Sequence, residues 1–304
     1  MAIGPRSGRQ LRLAAHGYEA VVASVGASLR VLTFEGRDLV VPFDADELRP
    51  HYRGVTLAPW PNRVTDGRYE FGGEAFQLSL TEPARGHALH GLASWLEFSL
   101  VSSASDSVTL EATIEPQAGY PWRVLVSVTN TLSDAGLATT VTATNLSDTA
   151  APFGTGPHPY LVAGPGRVDD WTFELPAATV LQVTPDRLIP TELLDVESPG
   201  FDWRTPRPIG DTFVDHAFTD LGRDAKGVAT VRLLSGDTGV EMTWGPECPW
   251  VQIHTADQPD PARSRLGLAV EPMTCPPDAF NSGTDLILIG SGASTSAGWV
   301  IRAI

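Results

Sequence analysis

The chain has 304 residues, of which 42% are hydrophobic and 19% charged, a composition that excludes a disordered or fibrous protein. Its 21 basic and 36 acidic side chains leave a net charge of -15, which repels phosphate backbones, so no nucleic-acid partner is expected. Two cysteines, Cys248 and Cys275, are too few for a disulfide scaffold and read as free thiols in a reducing compartment.

The first twenty residues hold no uninterrupted apolar segment, so no secretory leader is expected. No later stretch reaches the length of a membrane-spanning helix, and the reading is a cytoplasmic protein with no membrane partner. Short runs rich in Val, Thr, Leu and Phe follow at 19–34, 69–80, 96–101 and 108–115. At 123–130, Val124, Val126 and Val128 fall on one face of a strand, and at 137–145 Leu137, Val141 and Ala143 do the same. Further runs lie at 171–175, 228–234, 240–244, 251–254, 286–290 and 298–301. Gly72 with Gly73, and Gly236 with Gly239, mark tight turns, while the proline-rich stretches 204–210 and 257–265 read as loops. Helical periodicity is nearly absent. The pattern predicts an all-β protein, a large antiparallel sandwich, as one domain over residues 1–304.

Several segments combine turn residues with titratable groups. In 58–64, Pro59 and Pro61 stiffen the chain around Trp60 before Asn62 and Arg63, and an arginine there offers a planar fork either to hydroxyls or to a neighbouring carboxylate. In 85–91, His87 and His90 sit among glycines. No adjacent third ligand accompanies them, so no metal is expected, and a surface loop with solvated histidines is the plain alternative. In 153–161, His158 stands between Pro157 and Pro159, a rigid setting that suits a proton donor but also a simple turn. Segment 213–218 places Asp215 and His216 between apolar residues. In 270–283, Glu271 is expected at the end of a buried strand, where partial desolvation raises a carboxyl pKa toward that of a base.

In this order, the segments resemble the aldose 1-epimerase (galactose mutarotase) family: Asn62-Arg63-Val64, then Leu89-His90-Gly91, then Gly156 to Leu161, then Val214 to Phe218, then Glu271-Pro272-Met273-Thr274 with 278–283. Leu92 directly after Gly91, and the Gly-Pro-His-Pro-Tyr-Leu surroundings of His158, are similar to a shorter bacterial subgroup with diverse sugars. The resemblance implies a β-supersandwich fold. It implies His158 as general acid and Glu271 as general base, with Arg63, His90, Asp215 and the accompanying Asn62 binding sugar hydroxyls. It implies mutarotation of a free aldohexose by ring opening and reclosure, with no cofactor, in a monomer or homodimer. A cationic His158 beside an anionic Glu271 is expected to favour each other's charge. Trp60, Trp95 and Trp250 are candidates for stacking on the sugar, though core packing is the commoner use of tryptophan. Three alternatives remain: a glycoside hydrolase pairing Asp215 with Glu271, a carbohydrate-binding protein without catalysis, and a mutarotase of phosphorylated or sulfonated hexoses. The last requires arginines, from among Arg63, Arg68 and Arg85, to converge on one end of the pocket.

Overall fold

Strand alternation builds the largest sheet. In the hairpin of Val124–Ser133 with Gly136–Asn145, Val124, Val126 and Val128 are buried and face Asn145, Ala143 and Val141 across the ladder. In this computed structural model, which describes residues 4–304, that hairpin is part of a nine-stranded antiparallel sheet. The order across it is Ser99–Ser103, Ser107–Ile114, Val124–Ser133, Gly136–Asn145, Ser294–Ala303, Thr238–Trp244, Ala229–Ser235, Thr172–Glu174 and Arg207–Pro208. Residues 1–3, included in the expected domain span, lie outside the described residues.

A second sheet has six strands, in the order Tyr160–Leu161, Leu268–Met273, Trp250–His254, Asp215–Leu221, Ala177–Val183 and Pro190–Asp195. A third, of four strands, runs from Gln10–Ala15 through Tyr18–Ala23 and Ser28–Phe34 to Arg37–Asp38. Val22 and Leu32, Val126 and Val141, and Val251 and Ile253 bring side chains of all three sheets into one buried cluster. Removing that apolar surface from water drives the layers together, at about 25 cal/mol per Å². The fold is the all-β sandwich that the alternation predicts. Among the described residues, the α-helical content is the single turn Ala279–Ser282, and no helix is long and apolar enough to cross a membrane, which leaves β-barrels aside.

Three details differ from the expected elements. The run 19–34 is two strands, divided where Gly26 adopts φ +69°. Strands Gln10–Ala15, Ala177–Val183 and Pro190–Asp195 were not expected. Glu271 is the fourth of six residues in Leu268–Met273, not its end. The strand continues through Pro272 because its pairing with Tyr160–Leu161 covers only Leu268 and Ala269. Beyond that pairing the ladder on this side is interrupted, with Val270 N donating to Pro159 O and Thr274 N to Thr155 O on either side of Pro272, so the missing proline N–H removes no ladder bond.

Candidate active site

The six-stranded sheet has two differently used faces. Along Trp250–His254, Val251 and Ile253 enter the core, while Gln252 and His254 line a cleft of about 360 Å³. The register places Gln252 opposite Glu271 and His254 opposite Asp215, so period-two alternation delivers all four side chains to one surface.

His158 joins them through its backbone. Its N–H donates to Val55 O at 3.1 Å and its carbonyl accepts from Gly54 N at 2.8 Å. Gly156–Pro157 pairs with Thr56–Leu57 just before it, and Tyr160–Leu161 enters the six-stranded sheet just after it. The imidazole lies nearly parallel to the Tyr160 ring, with centroids 5.2 Å apart, and meets the His90 ring edge-on at 5.0 Å. His158 Nε2 lies 3.5 Å from Glu271 Oε1, an ion-pair separation, and both residues are buried.

The other wall comes from short connections. Arg63–Val64 pairs with Ala88–Leu89, and His90 N donates to Asn62 O at 2.8 Å. Gly91 then passes against the chain at Ala58, where a Cβ would sit 2.1 Å from the Ala58 carbonyl oxygen. With φ at +74°, the position fits glycine alone. Arg63 spends its fork on Glu82, with Nε at 2.8 Å and Nη2 at 3.0 Å, and Arg85 Nη1 bonds the same carboxylate at 2.8 Å. Nη1 of Arg63 keeps a long 3.4 Å contact to Asn62 Oδ1.

The electrostatics follow from burial. It raises Glu271 well above the ordinary carboxyl value, reinforced by the negative charge of Asp215 and opposed by Arg63. It lowers His158, and the positive potential of His254 adds to this. Both shifts favour a neutral pair, the reverse of the mutually charged pair expected from sequence, because desolvation outweighs attraction in so enclosed a place. Burial also lowers His90, with His158 next in effect. It works to raise Asp215, but His254, Arg63 and the Gln252 hydrogen bond at 2.7 Å outweigh it, so this carboxyl is held below its usual range and stays ionised. Glu271 Oε2, His158 Nδ1, His90 Nδ1 and Gln252 Oε1 are buried with no hydrogen-bond partner among the described residues. Such a concentration is costly in a core and is expected of a site for a polar ligand.

All six sequence candidates, Asn62, Arg63, His90, His158, Asp215 and Glu271, line this one cleft. His87 does not. Its Nδ1 accepts from Asp66 N and its Nε2 donates to Arg187 O, so it is a buried structural residue, and neither histidine of 85–91 belongs to a solvated loop. His216 packs on Phe201, with centroids 5.0 Å apart. Trp60 packs against Phe280, Trp250 Nε1 donates to Asp285, and Trp95 lies under the Arg49 guanidinium. None of the three lines the cleft. Cys275 is a buried thiol, pushed up to about 12 by burial, and stays out of the cleft. Sequence reasoning missed Gln252, His254, Glu82, Tyr52 and Tyr160 as cleft residues. The available signal was the i, i+2 spacing of Gln252 and His254 in a strand otherwise apolar.

The solved structures with this fold include the GalM/aldose epimerase homologue of Caenorhabditis elegans, with a TM-score of 0.85, 21% identity, and 97% of this chain and 98% of that one covered. They also include the galactose 1-epimerase of Lactobacillus acidophilus, with a TM-score of 0.81, 18% identity, and 96% and 92% covered. In sequence, the chain is 36% identical over 287 residues to the uncharacterized protein YihR of Escherichia coli K12, covering 94% of this chain and 90% of that protein. The family model for aldose 1-epimerase matches residues 9–302. The chain therefore belongs to the aldose 1-epimerase family and is an isomerase of that family.

Proposed function

We propose that the protein interconverts the α and β anomers of a free aldohexose, with Glu271 as general base and His158 as general acid. The observation that carries this reading is the buried carboxyl and imidazole 3.5 Å apart on the floor of the cleft. Glu271 takes the proton of the C1 hydroxyl while His158 gives one to the ring oxygen. The bond between C1 and the ring oxygen breaks, C1 becomes an aldehyde, rotation about C1–C2 exposes its other face, and reclosure reverses both transfers. No cofactor is needed.

The pair carries one proton throughout. Ring opening starts from the form with the proton on His158 and ends with it on Glu271. Burial favours the second arrangement, in which neither group is charged, so the enclosure of the pair assists ring opening. Asp215, held ionised, accepts from sugar hydroxyls. Arg63, fixed by Glu82, donates through Nη1, and Asn62 and His90 complete that wall.

Two alternatives find less support. A hydrolase pairing Asp215 with Glu271 gives no task to His158, whose Nε2 lies 3.5 Å from Glu271 Oε1. An anionic substituent on the sugar calls for converging arginines, but Arg63 and Arg85 both bind Glu82, and Arg68 lies away from the cleft, bonded to Gln77. The same reading takes the chain as one cytoplasmic domain. Polarimetry tests it: added protein is expected to speed the rotation decay of freshly dissolved α-D-glucose or α-D-galactose. An unchanged decay across a panel of aldoses refutes it.

A further inference from the structure

Two apolar rows of the nine-stranded sheet are interrupted at one place. The inward row of Val124–Ser133 runs Val124, Val126, Val128, Asn130, Leu132, and that of Gly136–Asn145 includes Leu137, Thr139, Val141 and Ala143. Asn130 stands directly opposite Thr139 across the ladder, and the two are only 2% and 8% exposed. Thr139 Oγ1 donates to Asn130 Oδ1 at 2.8 Å, while Asn130 Nδ2 is buried with no hydrogen-bond partner among the described residues. Turning the amide over exchanges its two polar atoms and still leaves one of them over. A buried amide atom without a partner is a cost that folded proteins rarely carry.

Asn130 lines an interior cavity with about 20 Å³ of room for the centre of a water molecule, separate from the cleft. The sheet side of this cavity is Asn130 and Thr139. The opposite side is the seat of His158. Pro157 and Pro159, its two neighbours in the chain, line the cavity, and so do Gly54 and Val55, whose backbones hold the His158 carbonyl and N–H. Thr56 adds a second hydroxyl-bearing residue to this wall. A polar space of that size takes one water molecule, which needs two to four polar partners, and the amide and hydroxyls supply donors and acceptors for it.

We propose that the cavity binds one water molecule on the Asn130 amide, and that Asn130 acts through it as a positioning residue for His158. The water ties the largest sheet to the back of the segment whose front presents the imidazole. It fixes the distance over which that ring must reach, and a proton donor depends on such a fixed reach. The positioning role rests on the mutarotase reading above, whereas the water site does not.

A high-resolution crystal structure of the wild type tests the site. Density for one water at about 2.7–3.2 Å from the Asn130 amide is expected, and a cavity without it overturns the proposal. Polarimetry tests the role. Asn130→Val, which continues the valine row, is expected to lower kcat about tenfold with KM little changed, and Asn130→Asp, which keeps the bond to Thr139 and a polar atom for the water, to recover most of it. Wild-type kcat in Asn130→Val overturns the role, as does an Asn130→Asp no faster than Asn130→Val. Should Asn130→Val fail to fold, the double variant with Thr139→Val, which leaves neither polar partner alone, takes its place. Failure of the wild type on every sugar refutes the mutarotase reading instead. The His158 ring signals in NMR then still read the positioning: they are expected to shift or broaden in Asn130→Val, and unchanged signals overturn it.

Discussion

Burial moves Glu271 up and His158 down, so the two together keep a single proton over a wide range of pH. Activity needs that one-proton state. The acid limb of kcat/KM is therefore expected below the ordinary imidazole value of about 6.5, where the pair gains a second proton. The alkaline limb is expected above the ordinary carboxyl value of about 4.3, where the pair loses its only one. Glu271→Gln and His158→Asn should each lower activity by about 10²–10⁴-fold with the fold intact, and Glu271→Gln should also move the alkaline limb to lower pH, where His158, then the only proton holder of the pair, gives its proton up. Circular dichroism checks the fold, and near-wild-type rates in either variant reject that residue's role. Stability gives an independent reading. A raised folded-state pKa means that the contribution of Glu271 is full below its unfolded value of about 4.3 and is lost as pH rises through the folded value. His158, depressed in the fold, contributes above its unfolded value of about 6.5 and loses that contribution as pH falls through the folded value. Glu271→Gln is therefore expected to melt higher than wild type, by an amount that grows from pH 5 to pH 8. A lower Tm at pH 8 would show that the carboxyl is not penalised by its burial.

The elements that carry the site differ in how readable they are. His158 and Glu271 announce themselves by proline-stiffened surroundings, and Asn62, Arg63, His90 and Asp215 by the ordered company they keep. Gln252 and His254 have no such surroundings. They reach the cleft because Trp250–His254 lies between the strands of Asp215 and Glu271, and that register is a long-range pairing that no local pattern encodes. The unexpected strand Ala177–Val183 alternates poorly, with Ala177 and Val180 buried and most of the rest half-buried, so period-two reading passes over it. Glu82 is invisible for a similar reason, since its partner Arg63 is 19 residues away. At this scale Gly91 is the point most open to test. An alanine there meets the Ala58 carbonyl and must hold a left-handed φ, each costing on the order of 1–3 kcal/mol. Gly91→Ala should lower Tm and reduce activity together, because His90 and Asn62 are bonded across the same crossing. Wild-type stability in this variant would contradict the close approach.

At the scale of the molecule, the cleft draws on residues from His51 to Glu271 and forms only when distant segments meet. Long-range pairings of this kind place folding in the range of about milliseconds to seconds. The fold class was legible because alternation is local. Strand order was not, and the clearest case is Ser294–Ala303, which lies between Gly136–Asn145 and Thr238–Trp244 in the middle of the nine-stranded sheet. It also buries Ala297, Trp299 and Ile301. Removal of residues 294–304 should abolish cooperative unfolding and leave the protein aggregated, as read by circular dichroism and sedimentation. A soluble, cooperatively melting product would refute the central role of this strand.

That placement has a consequence for synthesis. A chain made from the amino end completes the hairpin of Val124–Ser133 with Gly136–Asn145 early and the hairpin of Ala229–Ser235 with Thr238–Trp244 much later. The facing edges of the two hairpins, Gly136–Asn145 and Thr238–Trp244, both wait for Ser294–Ala303. Until that segment clears the ribosome tunnel, the nascent chain carries two unpaired sheet edges, the kind of surface that chaperones shield and that neighbouring nascent chains can capture.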